Sequence, residues 1–234
     1  MEHTFHAARV PIPYTEAQSL QRQLVERRLR GEVPDLLWLL EHPPTVTWGS
    51  SGGEENLRRD RAELEGRGVA LCRSERGGNI TFHCPGQLIG YLIVDLRADT
   101  DRDLVRFLRD VEQGLLGALA AWGLAARTIP GRTGVWLANE PQRKIAALGI
   151  RARRWISSHG FALNVENSLE GFDWIVPCGI GDAGVTSLGR ELGEGAVPWE
   201  RATADVSRNL GRSLGRPLEV LLGAAARERA AAEG

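Results

Sequence analysis

One lysine, Lys144, stands in a chain whose 29 Lys and Arg residues are otherwise all arginine. A guanidinium stays protonated in a protein, whereas a buried ammonium can lose its proton and then act as a base. Among these residues, only Lys144 can therefore give up a proton if it is buried. An arginine-biased composition could also leave one lysine by chance, and the count alone fits that explanation equally well. The other residues that could do chemistry must decide between the two.

The second such residue is Cys178, which lies between Pro177 and Gly179 after an apolar approach. A nucleophilic cysteine needs a base or a cation beside it, because the ordinary pKa of a thiol is about 8.5. Lys144, His83 and His159 are the candidate partners. A Cys–His pair would indicate a hydrolase, although no local protease signature is present. The alternative is an inert, buried cysteine.

A metal site is not expected. Zinc ligands could come from Cys72, His83, Cys84, Cys178 and His159, but no Cys-x-x-Cys or His-x-x-His spacing exists. The adjacent His83 and Cys84 would also be strained as joint ligands on an extended chain. The glycine pairs are not followed by Gly-Lys-Ser/Thr, so a phosphate-binding loop is not predicted either.

The composition is that of a globular protein without a polyanionic partner. The 234 residues carry a formal net charge of -1, so we expect no nucleic-acid binding. The longest apolar runs, such as residues 36–40, are too short to span a bilayer, and the start has no signal-peptide core. Three cysteines do not suggest a disulfide scaffold, which favours the cytoplasm, free thiols and no membrane association.

The elements needed to position these residues can be read from periodicity. Helices are predicted from Thr15, as a capping residue, to about Gly31, at residues 56–65, from about Asp101 to Trp122, and at residues 199–214. Strands are predicted at residues 36–40, 69–72, 87–96, 134–138, 144–150 and 160–165. This clustering favours an α+β fold whose mixed, mostly antiparallel sheet is flanked by helices. Residues 1–222 are expected to form one catalytic domain, with an alanine-rich, frayed tail at residues 223–234.

Several long motifs in this order resemble the lipoyl(octanoyl) transferase family, which is related to the biotin and lipoate protein ligases. The resemblance covers roughly residues 35–190. It rests on His42-Pro43-Pro44, residues 76–87, Gly134-Val135-Trp136, Arg143-Lys144-Ile145-Ala146, Ser158-His159-Gly160-Phe161-Ala162-Leu163-Asn164, residues 172–179 and residues 184–188. It implies the ligase-like α+β fold, with Cys178 as the acyl-thioester nucleophile and Lys144 as its partner. The residues implied to line the acyl pocket are Arg76, Gly77, Gly78, Asn79, Ile80, Thr81, Phe82, His83, Ala147, Leu148, Gly149, Gly160, Phe161 and Ala162.

The resemblance also implies a reaction. Octanoate would pass from the phosphopantetheine arm of acyl carrier protein to a lysine of a lipoyl domain, the first step of endogenous protein lipoylation. The acceptors would be the lipoyl domains of 2-oxoacid dehydrogenase E2 subunits and the glycine cleavage H protein. Because a thioester is exchanged for an amide, neither ATP nor a cofactor is expected, and we expect a monomer. The alternatives are an ATP-dependent lipoate or biotin ligase, which needs no nucleophilic cysteine, and a binding module that has lost its chemistry.

One residue departs from the family pattern. Cys84 replaces the glycine of a His-Gly-Pro-Gly-Gln turn, where a positive φ would make its side chain strained. We expect Cys84 either to narrow the acyl site or, under oxidation, to pair with Cys178, against the alternative of an inert side chain. His159 is a second possible modulator. A basic cluster of Arg151, Arg153 and Arg154 could steer an acidic carrier protein, and a solvated strand face explains it equally well.

Overall fold

A computed structural model describes residues 9–97, 102–176 and 183–232. Its helices are α1 (Tyr14–Arg30), α2 (Arg61–Gly66), α3 (Leu104–Ala121), α4 (Leu188–Leu192), α5 (Trp199–Ser213) and α6 (Ala225–Ala231), with short 3-10 turns at Glu54–Asn56 and Glu170–Trp174. Its strands are β1 (Leu36–Leu40), β2 (Thr45–Trp48), β3 (Ala70–Arg73), β4 (Ile80–His83), β5 (Gln87–Ile93), β6 (Ala126–Ile129), β7 (Arg132–Leu137), β8 (Arg143–Arg153), β9 (Ile156–Asn164), β10 (Gly184–Val185) and β11 (Glu219–Leu222).

The strands form two sheets of different size. The large sheet has the order β11-β1-β5-β9-β8-β7-β6, and β10 pairs with β8 at its side. The pairs β11–β1 and β10–β8 are parallel and the others are antiparallel. The small sheet has the order β3-β2-β4. This is the α+β arrangement with a mixed, mostly antiparallel sheet that the sequence predicts.

Helices cover both faces of the large sheet. α3 and α5 pack on one face, where Phe107, Val111 and Leu115 of α3 join a core with Val206 of α5. Their spacing of four residues places these α3 side chains on one side of the helix. Asp103 caps α3 by accepting hydrogen bonds from the Val105 and Arg106 amides. On the opposite face, α1 and α6 cover a second core.

The structure differs from the predictions for the start of α1 and for the alanine-rich segment. The residue that caps α1 is Pro13, and Thr15 lies inside the helix, so the prediction of Thr15 as the cap is wrong. Proline fits there because it has no amide hydrogen to satisfy. The alanine-rich segment expected to fray is helical over Ala225–Ala231, since Ala226 is fully buried in the core shared with α1.

The small sheet holds a third core on its outer side. Val46, Ile80 and Phe82 pack there with Phe172 and Ile175. The chain then turns from β4 through Cys84, Pro85 and Gly86 into β5, and so joins the small sheet to the centre of the large one. In the described part of the chain, no helix is long and apolar enough to cross a membrane.

Candidate active site

A cavity of about 250 Å³ lies where the small sheet and its loop face β5, β8 and β9 of the large sheet. β8 and β9 supply one wall, and β4 with residues 76–79 supplies the wall opposite. The lining residues are Tyr14, Ser51, Arg76, Gly78, Asn79, Ile80, Thr81, His83, Ile89, Tyr91, Gly131, Arg132, Thr133, Lys144, Ala147, Leu148, Gly149, His159, Gly160, Phe161 and Ala162.

Small residues on neighbouring strands make the floor of this cavity. Ala147 pairs with Ala162 and Gly149 pairs with Gly160 across β8 and β9. A Cβ at Gly149 would lie 2.8 Å from the Gly77 carbonyl oxygen, so a larger residue there would push the opposite wall away. Gly149 therefore lets the loop at residues 76–79 approach β8 closely.

The loop at residues 76–79 is held tightly over this floor. Gly49, Ser50 and Ser51 donate backbone hydrogen bonds to the carbonyls of Asn79, Arg76 and Gly78 at 3.1–3.2 Å. The Arg76 guanidinium is buried and donates to the Thr47 carbonyl at 2.9 Å. Gly78 has φ +88°, a conformation that glycine adopts without strain. The roof of the cavity is thus fixed by backbone bonds.

Lys144 lies near the end of β8 that meets β10, and only 8% of it is exposed. Its Nζ lies 4.6 Å from the centroid of the Trp136 ring, a cation–π distance. Gly134 makes room for the lysine stem, because a Cβ there would lie 3.2 Å from Lys144 Cε. The fully buried Glu112 fixes Gly134 by accepting its amide hydrogen at 2.9 Å.

Two histidines near the cavity are neutral, and hydrogen bonds hold both of their rings in place. His42 Nδ1 donates to the Ile12 carbonyl at 2.5 Å, so its Nε2 accepts the Tyr91 hydroxyl proton at 2.6 Å. His83 Nδ1 donates to Gln87 Oε1 at 2.8 Å, and its Nε2 lies 3.3 Å from Thr47 Oγ1. Burial lowers the pKa of His42 to about 4 and that of His83 to about 3.

His159 is the third buried histidine of this region, and its surroundings differ. Its Nδ1 has no hydrogen-bond partner among the described residues. Burial, aided by the charges of Arg76 and Arg151, lowers its pKa to about 3. The three imidazoles are therefore poor bases at neutral pH.

Twelve of the fourteen sequence-predicted pocket residues line this cavity, and Phe82 and Gly77 do not. The alternation of β4 turns Thr81 and His83 toward the cavity and Phe82 away from it, so that Phe82 packs against Phe172 and Trp174. Gly77 is in the roof loop but does not line the space. Cys178 lies outside the described residues, and with it the possible Cys84–Cys178 pairing.

Cys84 lies on the far side of the small sheet. Its side chain is in the third core, and its Sγ lies 3.5 Å from the Ser168 carbonyl oxygen. Its φ is not positive, and burial raises its thiol pKa to about 11. The prediction that Cys84 narrows the acyl site is therefore wrong, because the turn directs the side chain into the core.

Sequence reasoning missed part of the lining: Tyr14, Ser51, Ile89, Tyr91, Gly131, Arg132 and Thr133. Tyr14 is at the start of a helix, and no local pattern ties it to strands far along the chain. The alternation of β5 could have indicated Ile89 and Tyr91, which share one face of that strand.

The basic cluster is partly neutralised by the chain itself. Arg151 pairs with Glu75 and Arg153 pairs with Glu26, and all four side chains are at least one third exposed. Arg154 lies at the β8–β9 turn with φ +51°. Ion pairs of this kind reduce the net positive field available to steer an acidic partner.

Residues 13–209 match the family described as the lipoyl protein ligase A/B catalytic domain. The chain belongs to this family. An octanoyltransferase of Koribacter versatilis is 44% identical over 86% of this chain and 80% of that relative. An octanoyltransferase of Rubrobacter xylanophilus is 46% identical over 88% of this chain and 90% of that relative. Within the lipoyl protein ligase A/B family, these relatives confirm the predicted enzyme class, which is an acyltransferase of the octanoyltransferase kind.

Solved structures of lipoate protein ligases agree in fold. The bipartite lipoate protein ligase of Thermoplasma acidophilum, studied with its E2 lipoyl domain, superposes with a TM-score of 0.71 at 17% identity, over 94% of this chain and 89% of that one. A lipoate-protein ligase A bound with ATP gives 0.69 at 17% identity, over 94% and 92%. The fold predicted from the resemblance is thereby confirmed.

Proposed function

We propose that the protein transfers an octanoyl group from octanoyl-acyl carrier protein to a lysine of a lipoyl domain through an acyl-thioester on Cys178. The acceptors are the lipoyl domains of 2-oxoacid dehydrogenase E2 subunits and the glycine cleavage H protein. The observation that carries the proposal is Lys144, the buried lysine that lines a cavity with a floor of glycine and alanine.

The described residues on either side of Cys178 support its role. Before it, the Val176 amide donates to the Asn56 carbonyl at 2.8 Å, and the Asn56 side chain donates to that of Asn79 in the cavity wall at 3.2 Å. After it, Val185 pairs with Lys144, and the Thr186 amide donates to the Lys144 carbonyl at 2.9 Å. The chain is thus anchored at the cavity both two residues before Cys178 and seven residues after it.

In the first half-reaction, Lys144 takes the proton of the Cys178 thiol. The thiolate attacks the thioester carbonyl, the bond from the acyl carbon to the phosphopantetheine sulfur breaks, and the Lys144 ammonium returns the proton to the departing thiolate. The products are octanoyl-Cys178 and the free thiol of the carrier protein.

In the second half-reaction, the amine of the acceptor lysine attacks octanoyl-Cys178. Lys144 removes a proton from the attacking nitrogen, the bond from the acyl carbon to Cys178 Sγ breaks, and the proton returns to that sulfur. An amide is formed from a thioester, so neither ATP nor another cofactor enters the balance. An arginine could not replace Lys144, because its guanidinium does not give up a proton.

The geometry disfavours the Cys–His hydrolase. His83 has both ring nitrogens engaged within the protein, and the pKa values of His83 and His159 are each lowered to about 3. An imidazole held so strongly in its neutral form is a weak general base near pH 7. Lys144, which lines the same cavity, is left as the partner for Cys178.

The proposal includes the cellular setting. Free thiols fit the cytoplasm: among the described cysteines, Cys72 and Cys84 are free. The protein acts as a monomer that meets its carrier and acceptor in turn, without nucleic acid or membrane.

Intact-mass measurement after incubation with octanoyl-acyl carrier protein tests the covalent route. The wild type should gain the mass of one octanoyl group, Cys178→Ala should gain none, and the matched Cys84→Ala variant should gain it as the wild type does. Transfer to a lipoyl domain without any adduct would refute the acyl-enzyme. Transfer from free octanoate only when ATP is present would favour the ligase instead.

A further inference from the structure

A β-bulge in β8 decides which way Lys144 points. Val135 of β7 pairs with Ala146 of β8. The next residue of β7, Trp136, pairs with Lys144, so that Ile145 is the extra residue on β8. Ile145 and Ala146 are adjacent in the sequence, yet both are fully buried in the core that α3 and α5 cover. A bulge of this kind changes the direction of the side chains that flank it.

The bulge brings Lys144 to the face of the large sheet that borders the cavity. In a regular strand, two residues that are three apart, such as Lys144 and Ala147, lie on opposite faces. Here both line the cavity, because the extra residue between them reverses the alternation. On β7, Val135 and Leu137 are in the core, so Trp136 between them lies on the opposite face. The indole and the lysine side chain therefore share the cavity face of the sheet.

The indole of Trp136 is fixed, and the lysine stem is led to it. Trp136 is only 1% exposed, and its Nε1 donates to the Arg132 carbonyl at 3.3 Å. The Lys144 stem passes over Gly134, where a Cβ would lie 3.2 Å from Cε and 3.4 Å from Cδ. Its Nζ then lies 4.6 Å from the centroid of the indole. The ring face is thus the surface against which the amine is held.

An indole face suits a lysine that must hold a proton and then release it. The negative face of the ring attracts an ammonium group. In the proposed reaction, Lys144 carries the proton while the Cys178 thiolate attacks, and it then gives the proton to the departing thiolate. A carboxylate beside the ammonium could accept that proton itself, whereas an indole has a donor and no acceptor atom. The ring can therefore hold the ammonium without competing for its proton.

We propose that Trp136 is a positioning residue for the reaction and acts by holding the Lys144 ammonium on its ring face at the wall of the cavity. This inference rests on the proposed function and adds the residue that orients its proton carrier. Trp136 is not among the described residues that line the cavity, so it acts through Lys144. Its replacement should therefore lower kcat and leave KM for the carrier protein nearly unchanged.

The test measures the single-turnover rate of octanoyl-Cys178 formation together with kcat and KM for transfer to a lipoyl domain. Trp136→Leu should lower the rate and kcat about tenfold, the scale of a buried cation–π contact, with KM within about twofold of the wild type. Trp136→Phe keeps an aromatic face and should recover part of the rate.

Two further measurements separate the ring face from packing. Trp122→Leu is the matched control, because Trp122 is a buried indole of the same core layer as α3 and α5, where its Nε1 donates to Asp205 at 2.8 Å. It should retain kcat at a temperature at which it is folded. Tryptophans with one, two or three ring fluorines, introduced at position 136 alone, keep the shape of the indole and weaken its negative face. The rate should fall with each added fluorine while the melting temperature changes little.

The outcomes separate the two proposals. A wild type that forms no octanoyl-Cys178 refutes the proposed function. A wild type that forms it, with an unchanged kcat in the folded Trp136→Leu variant, overturns the role of Trp136 alone. If the leucine variant does not fold, the fluorinated series decides, and a rate that does not depend on the number of fluorines overturns that role. A loss of kcat in Trp122→Leu as large as that in Trp136→Leu also overturns it, because lost packing would then explain both.

Discussion

Buried titratable groups lie at two places beside the cavity, Lys144 at one (here called the lysine end) and His42 with His83 at the other (the histidine end), and the two places are built differently. At one end, Lys144 is positioned by an aromatic face and a glycine. Near the other end, His42 and His83 each have both nitrogens engaged, and their pKa values are lowered to about 4 and about 3. A buried histidine beside a cavity is thus not by itself a catalyst, since a ring with two internal partners has no proton to exchange.

The largest expected effect is at the lysine end. Lys144→Arg keeps the positive charge but removes the exchangeable proton, so octanoyl transfer should fall at least about 100-fold. The melting temperature should change little. Steady-state transfer to a lipoyl domain measures the loss.

The adjacent Arg143 offers a matched control. Its guanidinium pairs with Glu191 at 3.2 Å. Arg143→Lys should retain most of the activity. Full activity of Lys144→Arg would show that Lys144 exchanges no proton during the reaction, so that it would not differ in this respect from the histidines.

The histidine end should instead control stability against pH. In the folded state the pKa values of His42, His83 and His159 are lowered to about 4, 3 and 3, from an ordinary value of 6.5. The unfolded chain therefore binds more protons than the folded protein between these values. The three neutral imidazoles therefore stabilise the folded state fully above pH 6.5. As the pH falls below this value their stabilisation is lost, by up to about 1.4 kcal/mol per pH unit for each histidine.

Urea unfolding at pH 7.5, 6.0 and 5.0 measures this slope. His83→Gln lacks one titrating ring. Its free energy of unfolding should therefore change less steeply with pH than that of the wild type, by the contribution of one proton, whatever its stability at pH 7.5. A slope equal to that of the wild type would mean that His83 is protonated in the folded state.

A smaller effect should follow from breaking one bond at the histidine end. Tyr91→Phe removes the hydroxyl that donates to His42 Nε2 at 2.6 Å and leaves that nitrogen buried without a donor. The free energy of unfolding should fall by about 1–3 kcal/mol. Denaturant unfolding at pH 7.5 measures it.

Tyr14→Phe is the matched comparison for this variant. The Tyr14 hydroxyl bonds Ser74 Oγ at 2.6 Å, and Ser74 Oγ also accepts the Arg76 amide hydrogen at 3.2 Å. The serine oxygen thus keeps a partner, so the loss should be smaller than for Tyr91→Phe. If Tyr14→Phe loses as much free energy of unfolding or more, the hydrogen bond to His42 is not the reason for the effect of Tyr91→Phe.

The smallest effect is expected outside both ends. Cys84 packs in the core beyond the small sheet, so Cys84→Ala should leave the turnover within about twofold and cost only the loss of a small buried group. Transfer assays with decanoyl and octanoyl donors would reveal any contribution to the cavity. A changed chain-length ratio in this variant would place Cys84 at the site after all.

The sequence could predict those parts of the site that depend on residue chemistry and local pattern. The exchangeable proton of Lys144 follows from its being a lysine among arginines. The lining residues around Ala147 and Gly160 were implied by the resemblance of their motifs to the family, and the α+β class follows from strand clusters separated by a few long helices. These properties belong to short segments, so the amino-acid order is enough to determine them.

Only the tertiary structure decided where several side chains point. Tyr14 reaches the cavity because α1 crosses the large sheet there, and Cys84 leaves it because its turn faces the core. His159 has a positive φ and donates its amide hydrogen to the Gln21 side chain, which lies 138 positions earlier in the chain. Such outcomes depend on strand register and on contacts between distant segments, and no local sequence pattern contains that information.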